Sequence, residues 1–405
     1  MDVLVLGAGA LGMACAHQLA VSGHTVTVLD RGQVAGGTTA FAAGILSLGL
    51  VDAHDRHLTR MTMEGLTLLD REHPVSGADT GPLLHRPGSF IVAPPGAETA
   101  AVWEIAKGLA AMDATHGFVE PTEWAEAMAS RGMTVHVDDV TTVLSLPEDA
   151  WALSTEGTQT LARAAKALGV RMRTGADVAG LVREGGKVTG AVMSDGRPLM
   201  ADAVVVAFGP WSRPFLDRIG LRLPCRAYRT HAAVLRTTAP MDAPIVHDTA
   251  LGFYLRPEGP DHLLVGNGTR TEPTDPEGFT NDAENWFLEG IAERVPRRFP
   301  ALAEASLQNA WRGVLAGVPD RRPLVGAHPD APGLWLCTGD NGFGFMRSYA
   351  LGACLAAAVS AEGPPEGLPQ DTLAWMDPAR FWPDPPSEFP VMEGFALVPE
   401  KTARG

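Results

Sequence analysis

The sequence predicts an α/β fold with α+β character, in which a parallel-sheet unit is interrupted by an inserted antiparallel sheet. Three observations predict it. Short apolar runs at residues 2–6, 25–29 and 203–208 each lead to a glycine or an acid, as fully buried parallel strands do. The first two of these flank a helical stretch, Met13 to Ser22. Between Leu223 and about Thr269 the pattern changes to alternating runs separated by turns, which reads as an antiparallel sheet.

The first thirty residues carry the sharpest signal. The strand Asp2-Val3-Leu4-Val5-Leu6 ends in Gly7-Ala8-Gly9-Ala10-Leu11-Gly12, a helix follows, and Thr25-Val26-Thr27-Val28-Leu29 is closed by Asp30. Gly7 permits the tight turn, Gly9 lets a pyrophosphate approach bare backbone, and Gly12 lets the helix pack close to the sheet. The exposed N–H groups at the helix start, Ala10 and Leu11 among them, and the positive end of the helix dipole then hold the phosphates. Asp30 is placed to accept hydrogen bonds from a ribose. A purely structural βαβ unit is the alternative, but strand, glycines, helix, strand and acid in this order read as a Rossmann-like binder of an adenine dinucleotide.

Composition bounds the partners. A chain of 405 residues, 45% apolar and 20% charged, is long enough for two or three domains of an ordinary globular protein. A net charge of −15 disfavours nucleic acid or an anionic membrane surface, because phosphate neutralisation needs clustered Lys and Arg. Lysine occurs only at Lys107, Lys166, Lys187 and Lys401, so almost every buried cation must be arginine. No apolar run approaches the roughly 18 residues of a membrane span and no secretory signal precedes the first strand, so a cytoplasmic protein is expected. Cys15, Cys225, Cys337 and Cys354 stand alone in apolar settings and read as buried thiols.

After Asp30-Arg31, residues 36–47 are mostly small or hydroxylated and carry no charge. They read as a packed loop or as a backbone track along a cofactor, with Thr38 and Thr39 bonding phosphate or ribose. With Gly23 to Arg31 followed by Thr38-Thr39-Ala40-Phe41-Ala42-Ala43-Gly44-Ile45, the chain resembles the FAD-dependent amine and amino-acid oxidases of the D-amino-acid oxidase superfamily. That group includes D-amino-acid dehydrogenases, glycine oxidases and sarcosine oxidase β subunits. The resemblance implies FAD as cofactor, with Ala43, Gly44 and Ile45 beside the isoalloxazine.

Residues 53–73 read as a helix with Leu58, Met61, Leu66 and Leu69 inward; Asp52, His54, Asp55 and His57 read as its solvated start rather than a metal site. A strand at 88–93, a helix from Glu98 to His116 and a looser segment to about Leu146 carry no chemical motif. A helix from Thr155 to Leu168 leads into strands at 170–173 and 176–181, a hairpin at Glu184-Gly185-Gly186-Lys187, and the buried run from Ala203 through Gly209 to Trp211. The resemblance implies that Val178 approaches the adenine by its backbone and that Gly209, with Trp211 beyond it, crosses beneath the diphosphate. Within the antiparallel block, Tyr254 and Arg256 alternate with Phe253 and Leu255, so both polar side chains share one strand face. They face the flavin or form an exposed edge pair. A helix from Asn281 to Arg298 packs beside that sheet.

Residues 319–326 and 334–344 resemble the family's C-terminal signature, a strand ending in the turn Gly339-Asp340-Asn341-Gly342-Phe343-Gly344 and opening a helix. Gly342 and Gly344 let backbone approach a ring edge, and the helix from about Phe345 to Ser360 aims its positive end there. Gly313 belongs to the preceding Trp311-Arg312-Gly313. The chain departs from the family in two ways: Leu315 stands where many amino-acid-oxidising relatives carry an arginine, and Asp340 where the family has histidine. No lysine lies between Lys187 and Lys401 to match the oxygen-activating lysine of monomeric sarcosine oxidases.

The expected division is a discontinuous FAD-binding domain of residues 1–85, 147–218 and 310–381, a substrate domain of 86–146 and 219–309, and a tail of 382–405. The expected function is oxidation of the C–N bond of a small amine or amino acid by hydride transfer to flavin N5, giving an imine. Arg256, or failing that Arg347, pairs with a substrate carboxylate and Tyr254 positions it, while Arg347 supports charge on the flavin. Oxygen, or a quinone or other carrier, is the electron acceptor, and the chain works alone or as a homo- or hetero-oligomer. A 2-hydroxy-acid dehydrogenase and a flavin-binding subunit of a heteromeric oxidase are the rival readings; NAD in place of FAD is disfavoured by the paired glycine loops at the two ends of the chain.

Overall fold

The computed structural model describes residues 1–74, 81–278 and 280–386, with the backbone alone at 267–272. Most of the expected tail, residues 387–405, therefore lies outside the described residues. A six-stranded sheet runs in the order Leu324–Ala327, Leu334–Thr338, Ala203–Val206, Asp2–Leu6, Thr25–Leu29, Arg171–Arg173. All neighbours are parallel except the first two strands. Val5 pairs with both Val28 and Val205, so the first strand is central and its side chains are buried on both faces, which is why it reads as a continuous apolar run.

The helix Ala10–Val21 is apolar on every side because it is enclosed on every side. It packs on the sheet and against Ser154–Ala167 and Gly344–Val359. Gly352 of the last helix lies so close that a Cβ there would come within 2.5 Å of the Ala14 carbonyl carbon. The N-terminal and C-terminal helices thus cross at nearly backbone contact.

The second large element is an eight-stranded sheet ordered Ser306–Gly317, Arg226–Arg236, His262–Pro273, Phe253–Gly259, Ile245–Asp248, Ser89–Ala93, Thr142–Leu146, Gly117–Val119. It is antiparallel except where Ser89–Ala93 pairs in parallel with Ile245–Asp248. A hairpin sheet of Val178–Glu184, Lys187–Met193 and Pro198–Met200, and a two-stranded sheet of Ile45–Leu46 with Ala150–Trp151, complete the strands among the described residues.

Three boundaries differ from expectation. The helix expected to reach His116 ends at Ala111, because Asp113 takes a left-handed φ of 52° and turns the chain into the strand Gly117–Val119. The segment expected to be loose contains the helix Pro121–Ser130, with proline at its start, and the buried strand Thr142–Leu146. The strand Ser306–Gly317 lies in the large antiparallel sheet and crosses the expected boundary at residue 310. We take the two large sheets as the cores of two units, with that strand moved to the second.

All four cysteines are buried and free. Asp52 caps the helix Ala53–Glu72 by accepting from His54 N, and His54 stacks on Trp375 at 4.7 Å. No helix among the described residues is long and apolar enough to cross a membrane.

Candidate active site

A cavity of about 530 Å³ runs from the first glycine turn to the last one. Gly7 has φ +112°, and a Cβ there would meet the Ala207 carbonyl oxygen at 2.5 Å; a Cβ on Gly12 would meet the Gly7 oxygen at 1.9 Å. Both positions are glycine because backbone already fills the space. Gly9 is different: only Thr39 Oγ1, at 3.3 Å, lies within 4 Å of its would-be Cβ, and its bare backbone lines the cavity. Ala10 and Leu11 line it too, and Ala10 N donates to Thr39 Oγ1 at 3.1 Å.

Asp30 sits at the end of the second strand and accepts from Ala8 N and Gly32 N, both at 2.7 Å. Each carboxylate oxygen can accept more than one hydrogen bond, so bracing the glycine turn leaves capacity for a hydroxyl in the cavity. Arg31 pairs with Glu277 at 2.9 Å and lies over the Trp211 ring at 5.4 Å, and all three residues border the cavity. Val178 and Gly209 line the same wall; Gly209, at φ +54°, has nothing within 4 Å of a would-be Cβ. Trp211 Nε1 is buried and has no partner among the described residues, a donor awaiting an acceptor.

The other end is closed by the turn before Gly344–Val359. Asp340, Gly342 and Gly344 line the large cavity together with Gly7 and Gly9, so the beginning and end of the chain meet there. Asn341, at φ 53°, holds the turn by accepting from Val318 N and donating to Gly339 O, both at 2.8 Å. Gly339 borders neither cavity; a Cβ on it would meet Val318 Cγ2 at 2.3 Å, so it is glycine for packing. Burial raises the Asp340 carboxyl above the usual range, against the pull of the Arg347 guanidinium.

A second cavity of about 180 Å³ adjoins the first, sharing Thr38, Phe41, Ala42, Leu315 and Gly342 as walls. Its floor is a row of neighbours across the antiparallel sheet. Trp311 pairs with Ala232, Ala232 with Gly266, Gly266 with Tyr254, and Tyr254 with His247. Gly266 gives the tyrosine its place, since a Cβ there would lie 2.0 Å from Tyr254 Cζ. Burial pushes the Tyr254 phenol up to about 12 and the His247 imidazole down to about 4, so both are neutral near pH 7. Ala43, Gly44, Ile45, Gly313, Asn341 and Phe343 supply the remaining expected walls.

Two expected catalytic residues do not border either cavity. Arg256 lies two residues beyond Tyr254 on the same strand face, but the preceding loop covers it. Its Nε donates to Ala43 O, it pairs with Glu258, and its guanidinium lies 4.3 Å over the Trp151 ring. Arg347 is fully buried, pairs with Asp55 and donates to Asp340 O. In both cases a nearby carboxylate already neutralises the cation and the side chain borders neither cavity, which does not favour the expected role as carboxylate clamp; Arg347 fastens the glycine turn to the helix Ala53–Glu72. The sequence reading also missed lining residues: His247, His231 and Arg321 in the small cavity and Glu277 at the mouth of the large one. Arg321 was visible as a bulky residue directly after Pro319-Asp320; the two histidines carried no local signal, because only the sheet register brings them to the cavity.

Comparison with known proteins agrees with this geometry. Residues 2–358 match the model of the family described as FAD dependent oxidoreductase. A D-amino acid dehydrogenase of Cereibacter sphaeroides is 27% identical over 412 residues, covering 90% of this chain and 93% of the relative. A glycine oxidase of Geobacillus kaustophilus is 23% identical, covering 88% of this chain and 92% of the relative. Among solved structures, L-proline dehydrogenase from P. horikoshii superposes with a TM-score of 0.82 at 21% identity over 94% of this chain and 97% of the other.

Proposed function

Because the chain belongs to this family of FAD-dependent oxidoreductases, we propose that it binds FAD along the large cavity and oxidises the C–N bond of a small amino acid or amine in the adjoining one. The observation that carries this reading is the continuity of the two cavities through the shared wall of Thr38, Phe41, Ala42 and Gly342. The residues present fit the cofactor. Gly9 and Gly209 offer open backbone, Asp30 offers a carboxylate for ribose hydroxyls, and the orphaned Trp211 Nε1 offers a donor for an anionic or hydroxyl oxygen. The relatives named for D-amino acids and glycine support the substrate class.

FAD, when bound, supplies the acceptor for the electron pair released as the substrate C–N bond becomes an imine. The chain supplies position and electrostatics. The N-terminus of Gly344–Val359 points its unpaired amides and partial positive charge at the end of the large cavity, where it stabilises negative charge. Arg347, held by Asp55, keeps that helix end in register. Phe41, Ile45, Leu50, Trp311 and Met346 make the substrate cavity apolar and exclude water from it. Tyr254, neutral and supported by Gly266, is a hydroxyl donor to the substrate, and His247, also neutral, adds no charge that would repel an amine.

The test is anaerobic titration of the purified protein with D- and L-amino acids, simple amines and 2-hydroxy acids, followed by loss of the oxidised-flavin spectrum. Bleaching by an amino acid or amine supports the reading. Bleaching by hydroxy acids alone, or a protein that takes up no flavin, overturns it.

A further inference from the structure

The strand Ile45–Leu46 pairs with Ala150–Trp151, Ile45 opposite Trp151 and Leu46 opposite Ala150. One step further along the same ladder, Ser47 Oγ donates to Asp149 Oδ2. Ser47, two residues beyond Ile45, lines the small cavity beside it. Asp149 lies behind the serine, fully buried and bordering neither the large cavity nor the small one. We propose that Ser47 and Asp149 form a relay that takes the proton of a substrate ammonium before hydride leaves its carbon. Ser47 is the catalytic residue that touches the nitrogen, and Asp149 is the positioning residue that acts through it. This rests on the C–N oxidation reading above and deepens it.

The hydrogen bonds set the direction of transfer. Ser47 Oγ donates to Asp149 and accepts from Gly49 N at 3.0 Å, which leaves one of its two lone pairs for an N–H in the cavity. Asp149 accepts in addition from Ser89 Oγ at 2.6 Å and from Leu48 N at 2.8 Å. These three donors are neutral, and the charge that bears on Asp149 most is the like charge of Glu148. Burial lifts its carboxyl to about 6, against the pull of the donors. A buried carboxylate held in this way, one hydroxyl from a cavity, gains the counter-charge it lacks when a cation enters that cavity. The other titratable groups around it compete little. Glu148 turns to Arg60 at 3.8 Å, and Arg86 donates to the Glu148 carbonyl. His85 and Arg256 lie against the Trp151 ring, and His247 and Tyr254, on the sheet side of the cavity, are neutral near pH 7.

The chemistry requires such a relay. An amine enters near pH 7 as its ammonium, whose nitrogen has no lone pair to support loss of hydride from the adjoining carbon. One N–H proton passes to Ser47 Oγ while the serine hydroxyl proton passes to Asp149 Oδ2. The ammonium becomes an amine, the carboxylate a carboxylic acid, and the serine is regenerated. Hydride then leaves the carbon of the neutral amine for the flavin, and the nitrogen lone pair forms the second C–N bond of the protonated imine. The proton on Asp149 returns through Ser47 to solvent when the product leaves. The sum is ammonium substrate and oxidised flavin in, protonated imine, reduced flavin anion and one proton out.

The experiment uses the flavin-loaded protein and two readouts across pH. Probes with no hydrogen on the carbon bearing nitrogen, 2-methylalanine and tert-butylamine, are titrated against the visible flavin spectrum. Their controls, 2-hydroxyisobutyrate and tert-butanol, carry hydroxyl in place of ammonium. The second readout is the limiting rate of anaerobic flavin reduction by the substrate. In the wild type, amine affinity and limiting rate both fall towards acid as the carboxyl takes up a proton of its own, and the controls do not follow. Ser47→Ala lowers amine affinity and limiting rate at least about tenfold each, and its rate then climbs with pH until the substrate's own amine is neutral. Asp149→Asn does the same and shows no acid limb. Ser89→Ala removes a second hydroxyl from the same carboxylate oxygen but borders neither the large cavity nor the small one. It moves the acid limb to higher pH and keeps the wild-type rate above it. The two serine variants decide the matter even where Asp149→Asn does not fold. Equal losses in Ser47→Ala and Ser89→Ala mark a carboxylate that only ties loops together and overturn the proposal, as do unchanged rate and amine affinity in a folded, yellow Ser47→Ala. Failure of the wild type to be reduced by any amine or amino acid overturns the parent reading instead, since probe binding is read without turnover.

Discussion

The two ends of the site are built by different means. At the proposed nucleotide end, the wall is backbone: Gly7 turns the chain, Gly12 admits the helix, Gly9 leaves the amides bare, and one side chain, Asp30, braces them. At the proposed substrate end, the wall is made of side chains from strands far apart in sequence, with Trp311, Tyr254 and His247 in one cross-strand row. Backbone recognition depends on local conformation and leaves a local pattern of glycines. A wall of side chains depends on the register of the sheet, and no short stretch of sequence records that.

The contrast breaks most sharply at the glycines, where two similar substitutions are expected to act in different ways. A Cβ at Gly12 would sit 1.9 Å from the Gly7 carbonyl oxygen, backbone against backbone with no flexible atom to yield. Gly12→Ala is expected to displace the helix from the sheet and to yield protein that neither melts cooperatively nor retains flavin. A Cβ at Gly9 meets only a hydroxyl at 3.3 Å, so Gly9→Ala is expected to fold with little change in melting temperature. It loses at least about tenfold in FAD affinity, equivalent to roughly 1.4 kcal/mol, by fluorescence titration of the apoprotein. Equal loss of stability in the two variants would show that Gly9, too, is glycine for packing.

That difference also explains what could be read in advance. The glycine turn, Asp30, the loop 38–45, Gly209 and the turn at 341–344 were legible because each is a short run whose spacing has a steric meaning. The strand Thr142–Leu146 and the small helix before it were not, since five residues with mixed polarity read equally well as loop. Arg256 and Arg347 were legible as important but not in their roles. Glu258 is two residues from Arg256, whereas Asp55 is nearly three hundred residues from Arg347, and only the folded chain shows that both arginines are neutralised.

The Arg347–Asp55 pair gives the next largest effect. Arg347 is fully buried and its partner nearly so, so removing the carboxylate leaves a guanidinium without a counter-charge. Asp55→Ala is expected to cost about 3–5 kcal/mol in chemical denaturation. Because the pair also fastens the turn that borders the cofactor, the variant is expected to bind FAD more weakly as well. A stability loss with unchanged FAD affinity would separate the helix anchor from the site.

Two buried groups near the substrate end make stability depend on pH with opposite signs. His247 falls from 6.5 to about 4 on burial, so its neutral form favours the folded state above pH 6.5, and that contribution is lost as pH falls through 4. Asp149, fully buried while accepting from Ser47, Ser89 and Leu48 N, rises from 3.8 to about 6. Its cost is absent below pH 3.8 and grows as pH rises through 6. Each spans about 3 kcal/mol at most, so denaturation series between pH 4 and 7 should show the two slopes separately in single variants. His247→Phe is expected to flatten the fall towards acid, and Asp149→Asn to flatten the opposing rise; identical curves for all three proteins would exclude both groups.

The smallest expected effect bears most directly on the comparison, because it concerns the arginine that the sequence favoured for substrate binding. Arg256 is 1% exposed, donates to Ala43 O and pairs with Glu258, whose side chain is a quarter exposed. Removing the guanidinium therefore leaves a carboxylate that water can reach, and the cost is expected to be only about 1–2 kcal/mol in Arg256→Met, below that of a fully buried pair. The side chain borders neither cavity, so the KM for an amino acid is expected to change by less than about threefold. If Arg256→Met raised KM by at least about tenfold, the substrate would be held through the Ala43 loop, and the substrate end, like the nucleotide end, would recognise its ligand by backbone.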